Sequence, residues 1–178
     1  MPEFKSGWYL IYTRPRHEKK VYDQLIQCNV NTYLPLVKKL HQWADRRKCI
    51  DSPLFPSYIF VRLNDAGDYF KGLNADGSLY YVKMGKEIVR VSETVVSNIK
   101  LAAGYQQDIE VLDDFFQPGQ KMVIVEGALA GLSCELVEVK SKQMLLVRVD
   151  ILQRNLLLRL PADHFMVDNS VNAACLQA

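Results

Sequence analysis

Close cysteine pairs are missing from this sequence. Its four cysteines, Cys28, Cys49, Cys134 and Cys175, stand far apart and form no C-x-x-C. A zinc ribbon or a redox dithiol needs close spacing, so both are excluded. Four thiols in 178 residues are too sparse for a disulfide scaffold, and reduced, mostly buried thiols are expected. No apolar run approaches the roughly 18 residues of a membrane span, so no membrane partner is expected. The N-terminal "MPEFKSGWYL" has no basic run followed by a long apolar stretch. No secretion signal is read there, and a cytoplasmic location is expected. The three histidines, His17, His41 and His164, are scattered, with no cysteine or carboxylate at ligand spacing. No G-x-S-x-G elbow is present, and "GKEIV" lacks the upstream glycine of a phosphate loop. No enzyme, no cofactor and no metal are expected.

What is present suits a folded protein. Hydrophobic residues make up 49% and charged residues 24%, enough for a core in one ordinary domain or two small ones. The net charge of +2 is unevenly spread. Residues 1–104 carry 16 Lys and Arg against 10 Asp and Glu, a net +6. Residues 105–116 carry four acids and no base, and residues 117–178 carry six of each sign. The first part is the candidate partner for a polyanion.

The first part reads as strands and helices in alternation. "WYLIYT" (8–13) is a short aromatic-rich strand. "RPRHEKKVYDQLIQCN" (14–29) reads as a helix with Pro15 in its first turn. Val21, Leu25 and Cys28 then share a face, with Tyr22 and Ile26 beside it and Arg16, Lys19 and Lys20 opposite. A long hairpin follows, its tip near "ADRRK", so that Arg46, Arg47 and Lys48 stand at the end of an arm. "GDYFKGLNADG" suggests a short helix and turn, and "LYYVKMGKEIVRVS" two short strands around Gly85. "SETVVSNIKLAAG" (92–104) reads as a helix from a Ser cap to a Gly. The fold class expected is α+β, an antiparallel sheet with helices packed on it.

"YQQDIEVLDDFFQPGQ" changes composition and reads as an acidic linker over 105–116. After Pro118-Gly119, strands are expected near 121–125, 134–139, 144–150 and 155–160, forming a small all-β barrel over 117–168. "QMLLVRVDILQRNLLLRL" is leucine-rich enough for a helix in another context. Val123, Val125, Val137, Val139, Val147 and Val149 favour strands. The tail 169–178 has no packing signal.

"DSPLFPSYIFVRL" (51–63) poses a question. As a strand from Phe55 to Arg62 it puts Phe55, Ser57, Ile59 and Val61 on one side and Pro56, Tyr58, Phe60 and Arg62 on the other. Both sides are apolar, where a small sheet usually wets one face. Something must cover Tyr58 and Phe60: either a core or a partner.

Three stretches in order, "WYLIYTRPRHEKK", "PLFPSYIFV" and "FQPGQKMVIVEGALAGLSCELVEV", resemble the NusG family of transcription elongation factors. The resemblance runs over about residues 7–168 and implies an NGN-type domain followed by a KOW barrel, with Gly127 and Gly131 at the barrel turn. "RPRHEKK", "LPL", "QWADRRK" and "PLFPSYIFV" are most similar to the specialised UpxY type, associated with capsular polysaccharide operons, and the "PLFPSYIFV" block is also similar to RfaH. Ser57 stands where general members have Gly, and Cys134 where the barrel turn often has a second Gly.

The resemblance implies an operon-specific antiterminator that binds the clamp helices of bacterial RNA polymerase and reduces pausing and termination. Tyr12, Tyr58, Phe60, Val82 and Met84 are then the polymerase-binding residues. Arg14, Arg16, His17, Lys19 and Lys20 form a basic face for the non-template DNA strand, with Arg46 and Arg47 as a further DNA contact. "YFKG" (69–72) falls where relatives touch the opposite wall of the cleft. Phe165 is a barrel partner-binding candidate, for a ribosomal protein or a termination factor, or else closes the barrel core. A monomer is expected. The rival readings are a general NusG-like elongation factor and an RNA- or ribosome-binding KOW module.

Overall fold

A computed structural model describes residues 5–42, 47–105, 109–112, 119–124, 129–139, 142–159 and 167–168. The chain divides into two compact units, 1–93 and 94–178.

The first unit opens with β1 (Gly7–Thr13), α1 (Glu18–Gln27) and β2 (Asn31–Tyr33). The hairpin β3 (Leu36–Gln42) and β4 (Arg47–Pro53) follows, paired from Leu36↔Pro53 to Gln42↔Arg47. Next come β5 (Tyr58–Leu63), α2 (Ala66–Asn74) and β6 (Ser78–Tyr81). The short pairs β7 (Lys83–Met84) with β8 (Glu87–Ile88), and β9 (Arg90–Val91) with β1, complete it. The main sheet is antiparallel, in the order β2-β5-β1-β6.

Strand alternation decides what the helices cover. Tyr9 and Ile11 of β1 and Ile59, Val61 and Leu63 of β5 pack with Val21 and Leu25 of α1 and Tyr69 and Leu73 of α2. Each such fully buried aliphatic side chain contributes roughly 1.5–3 kcal/mol. Trp8, Leu10, Tyr12, Tyr58, Phe60 and Arg62 alternate to the other face, away from α1 and α2. Helix α2 starts on an Asp65 cap, whose Oδ1 accepts from the Asp68 amide at 2.9 Å. Gly72 lets α2 lie close against β6: a Cβ there would meet the Tyr81 hydroxyl oxygen at 1.9 Å.

Two expected elements differ. Helix α1 begins at Glu18 rather than Pro15, because Arg16 adopts φ +66° and the chain makes a separate turn at 14–16 before it. Strand β5 begins at Tyr58 rather than Phe55, because Ser57 also adopts φ +66°. Phe55 therefore leaves the aliphatic face, and its ring lies 6.2 Å from that of Phe60. The expected burial of thiols is also corrected: Cys134 is buried, but Cys28 and Cys49 are exposed. Cys28 caps the C-terminal end of α1, past its last buried residue, Leu25.

The second unit begins within α3 (Glu93–Tyr105), not after residue 104. The Asn98 amide explains the shift. Its Nδ2 donates to the Ser133 carbonyl at 2.9 Å, and its Oδ1 accepts from the Ser133 amide at 3.1 Å. The expected linker is likewise corrected, since Ile109–Leu112 forms β10 on β14. Alternation in "DIEVL" was masked by the acids around it.

Strands β11 (Gln120–Ile124), β12 (Ser133–Val139), β13 (Lys142–Val149), β14 (Arg154–Arg159) and β15 (Val167–Asp168) follow. The pairing is antiparallel throughout, in the order β10-β14-β13-β12-β11-β15. The leucine-rich stretch is thus two strands joined by a single 3-10 turn at Asp150–Leu152, not an α-helix. Leu145 to Val147 and Leu156 to Leu158 are all buried, so consecutive residues on both faces are covered. Gly131 occupies the turn before β12 at φ +87°, as expected, while Cys134 sits inside β12 opposite Met122. Glu135 holds Arg148 in a two-pronged ion pair at 2.9 Å on each arm and accepts the Gly119 amide at 3.0 Å.

Candidate functional site

The turn before β5 aims the aromatic face. Ser57 is buried, its carbonyl accepts from the Thr13 amide at 2.8 Å, and its own amide donates to Glu18 Oε1 at 2.7 Å. The first turn of α1, the end of β1 and the start of β5 are therefore tied at one point. From there Tyr58 leads into β5 directly opposite Tyr12 of β1.

Three tyrosines form a row across three adjacent strands. Tyr12 faces Tyr58 on one side and Tyr80 of β6 on the other. The Tyr12 and Tyr58 rings meet edge to face with centroids 5.2 Å apart. The Tyr12 and Tyr80 rings stack at 5.1 Å with planes 18° apart. Both geometries suit the aromatic quadrupole. Exposure rises along the row: Tyr12 and Tyr58 are half-buried, and Tyr80 is 52% exposed. Met84 beyond it is 75% exposed, and Val82 is half-buried, with its amide bonded to the Leu10 carbonyl at 2.9 Å.

Phe60 differs from expectation. It belongs to the same face but is fully buried, at 0% exposure. Its ring is flanked by Phe55 and Tyr33, each with its centroid 6.2 Å away. Burial also pushes the Tyr33 hydroxyl up to about 12. Phe60 is therefore a packing residue on the same face as the row, not an open part of it. At the far end of the face, Glu93 accepts from the Trp8 indole at 2.8 Å and pairs with Arg62 at 3.1 Å.

The basic residues fall on two elements rather than one helix face. Arg14 and Arg16 lie exposed in the turn after β1, His17 precedes α1, and Lys19 and Lys20 are exposed in its first turn. Lys19 donates to the Asp51 carbonyl at 2.9 Å, and Lys20 pairs with Asp76. The Lys20 ammonium, with smaller help from Arg14 and His17, holds the Asp76 carboxyl below its ordinary range. Gly77, at φ +104°, brings the next turn against His17, and its carbonyl accepts from the Arg14 amide at 2.8 Å. The cluster is cationic, with Asp76 paired to Lys20 and Glu18 buried on the Ser57 amide.

Other candidates are less defined. Arg46 and Phe165 lie outside the described residues, and Arg47 is placed only as the backbone partner of Gln42. In "YFKG", Tyr69 is half-buried on α2 and stacks on Tyr81 at 4.7 Å, while Phe70 is exposed. Among the described residues no group of three or more His, Cys, Asp or Glu is placed to hold a metal, and no helix is long and apolar enough to cross a membrane.

Residues 6–100 match the family model described as transcription termination factor nusG. The chain belongs to the NusG family. A solved structure of Thermotoga maritima NusG superposes with a TM-score of 0.50 at 18% identity, covering 87% of this chain and 94% of that one. A looser match is an MjSpt4:Spt5 complex, with a TM-score of 0.35 at 10% identity, covering 91% of this chain and 98% of that one.

Within this NusG-family chain, several residues escaped the sequence reading. Glu18 looked like an ordinary acid in the first turn of a helix, yet it is buried on the Ser57 amide. Tyr80 belongs to the row through the register of β6 on β1, which no local pattern announces. Glu93 and Asn98 act on residues far away in sequence, so only the folded chain reveals them.

Proposed function

We propose that this chain is a specialised, operon-specific transcription antiterminator of the UpxY and RfaH type, serving polysaccharide operons. It docks on the clamp helices of RNA polymerase through Tyr12 and Tyr58, together with Val82 and Met84, and with Phe60 packed on the same face. The observation that supports this is the tyrosine row itself, on the sheet face opposite α1 and α2, in a chain of the NusG family. Aromatic residues and Met on an accessible face are what a protein contact surface is made of.

The mechanism is a population shift rather than catalysis. A ligand that contacts the closed, elongating clamp better than the open one biases it closed, and pausing and termination fall. Arg14, Arg16, His17, Lys19 and Lys20 meet the exposed non-template strand. The second unit serves as a KOW-type barrel that recruits a ribosomal protein or a termination factor. Ser57 supports the specialised reading: it occupies a left-handed position where general members carry Gly, so the chain keeps a strained residue there. A pull-down with bacterial RNA polymerase, followed by pausing assays on leader sequences, tests the reading. Retention of polymerase and leader-dependent loss of pausing are expected. Failure to bind polymerase contradicts it.

A further inference from the structure

We propose that Asp76-Gly77 is a modification site, where the chain isomerises to isoaspartate unless Lys20 and Gln24 hold the turn shut. The dipeptide lies between the end of α2 and the start of β6. Gly77 has no Cβ to shield its amide nitrogen, and the Asp76 side chain is 64% exposed. In the reaction that nitrogen bonds to Asp76 Cγ and gives up its proton. The carboxyl hydroxyl leaves as water, and a five-membered succinimide closes. Water then reopens the ring. Attack at Cγ restores aspartate, whereas attack at the backbone carbonyl carbon leaves the chain running through the β-carboxyl as isoaspartate. One water leaves and one returns, so no other reactant is needed.

Two side chains one turn apart on α1 oppose ring closure. Gln24 spans Asp76: its Oε1 accepts from the Asp76 amide at 2.9 Å, and its Nε2 donates to the Asp76 carbonyl at 3.4 Å. The peptide unit is planar, so holding that carbonyl also fixes the direction of the Gly77 nitrogen. Lys20 ties the Asp76 carboxylate to α1. The hydroxyl leaves from the neutral acid, and the Lys20 hydrogen bond, with its charge, keeps the carboxyl below its ordinary range and ionised. On the other side, the Gly77 carbonyl accepts from the Arg14 amide at 2.8 Å. Gly77 stands at φ +104° against His17, where a Cβ would meet the His17 Cβ at 2.8 Å. An isoaspartate puts one more atom into the main chain just before this packed turn. The modified chain cannot keep both the Arg14 bond and the pairing of Ser78 with Thr13 in their present register. Modification therefore releases the turn after β1 from β6, and Lys20 and Gln24 set how fast the chain ages.

Incubation of the full chain at physiological temperature and mildly acidic pH, followed by liquid chromatography of the tryptic peptide 72–83, tests this. That peptide contains no other aspartate, and isoaspartate shifts its retention without changing its mass. Conversion is expected to be slower in the folded wild type than in the same chain in guanidinium chloride. Gln24→Ala, folded by circular dichroism, should convert about two- to tenfold faster than wild type, the range for a lost hydrogen bond. Lys20→Ala should also be faster, and in denaturant all three rates should coincide. Val61→Ala, a core truncation that leaves both α1 contacts in place, should convert more slowly than Gln24→Ala. No isoaspartate in denaturant overturns the site. Equal rates in the folded and denatured wild type overturn the restraint, and so does a Val61→Ala rate that matches Gln24→Ala. If Gln24→Ala unfolds, Lys20→Ala decides at an exposed position: a rate no faster than wild type overturns the proposal.

Discussion

The Ser57 amide donates to the buried Glu18 carboxylate at 2.7 Å, and this bond joins the first turn of α1 to the start of β5. Tyr58 enters β5 from that point, directly opposite Tyr12. A buried amide left without its acceptor costs on the order of 1–3 kcal/mol. Glu18→Ala should therefore lower stability by about 2 kcal/mol, while Glu18→Gln, which keeps an acceptor, should lose less. Thermal unfolding of the two variants checks the order.

Ser57 itself sits at φ +66°, a region that disfavours a Cβ. Ser57→Gly should relieve that strain and hold or raise stability by up to about 1 kcal/mol, after the larger chain entropy of Gly is subtracted. Ser57→Val, branched at Cβ, should cost about 2 kcal/mol. Denaturant midpoints of the pair give the test, and equal midpoints would contradict the backbone assignment.

Phe60 is fully buried, so its truncation acts on the fold before it acts on any partner. Phe60→Ala should cost about 3–5 kcal/mol of stability, the usual range for an aromatic core deletion. A variant with wild-type stability and lost polymerase binding would restore Phe60 to the contact surface. Equilibrium urea unfolding distinguishes the two.

In the second unit, the hydrogen bond from Arg148, followed by the Gly119 amide, holds the Glu135 carboxyl below its ordinary value of 4.5. A depressed folded value means the unfolded state binds the proton more readily. The stabilisation is then fully present above the unfolded value of about 4.5 and is lost as pH falls through the lower folded one. The melting temperatures of wild type and Glu135→Gln should differ at pH 7 and converge as pH falls from 4.5 through the depressed folded value. A gap that stays constant over that window would contradict the linkage.

Local signals made much of this legible in the sequence. Strands β11 to β14 were placed within a residue or two, because valine and leucine runs between turn residues are short-range features. The two faces of β5 followed from alternation, but not the start of the strand. That start depends on Ser57 meeting Glu18, a contact across 39 positions. Alternation likewise put Phe60 on the right face without saying that Phe55 and Tyr33 would close around it. The basic residues were visible as a run, while the turn at Arg16 that splits them between two elements was not.

The central claim is that the tyrosine row grips RNA polymerase, and its most direct test is the affinity of the full chain for bacterial RNA polymerase. The comparison is between wild type and Tyr58→Ala/Met84→Ala, a pair outside the helix-covered core. The account predicts that the wild type binds and that the double variant, folded by circular dichroism, binds at least about tenfold more weakly, as loss of an aromatic anchor does. Equal affinity of the two, or no binding by the wild type, would contradict it.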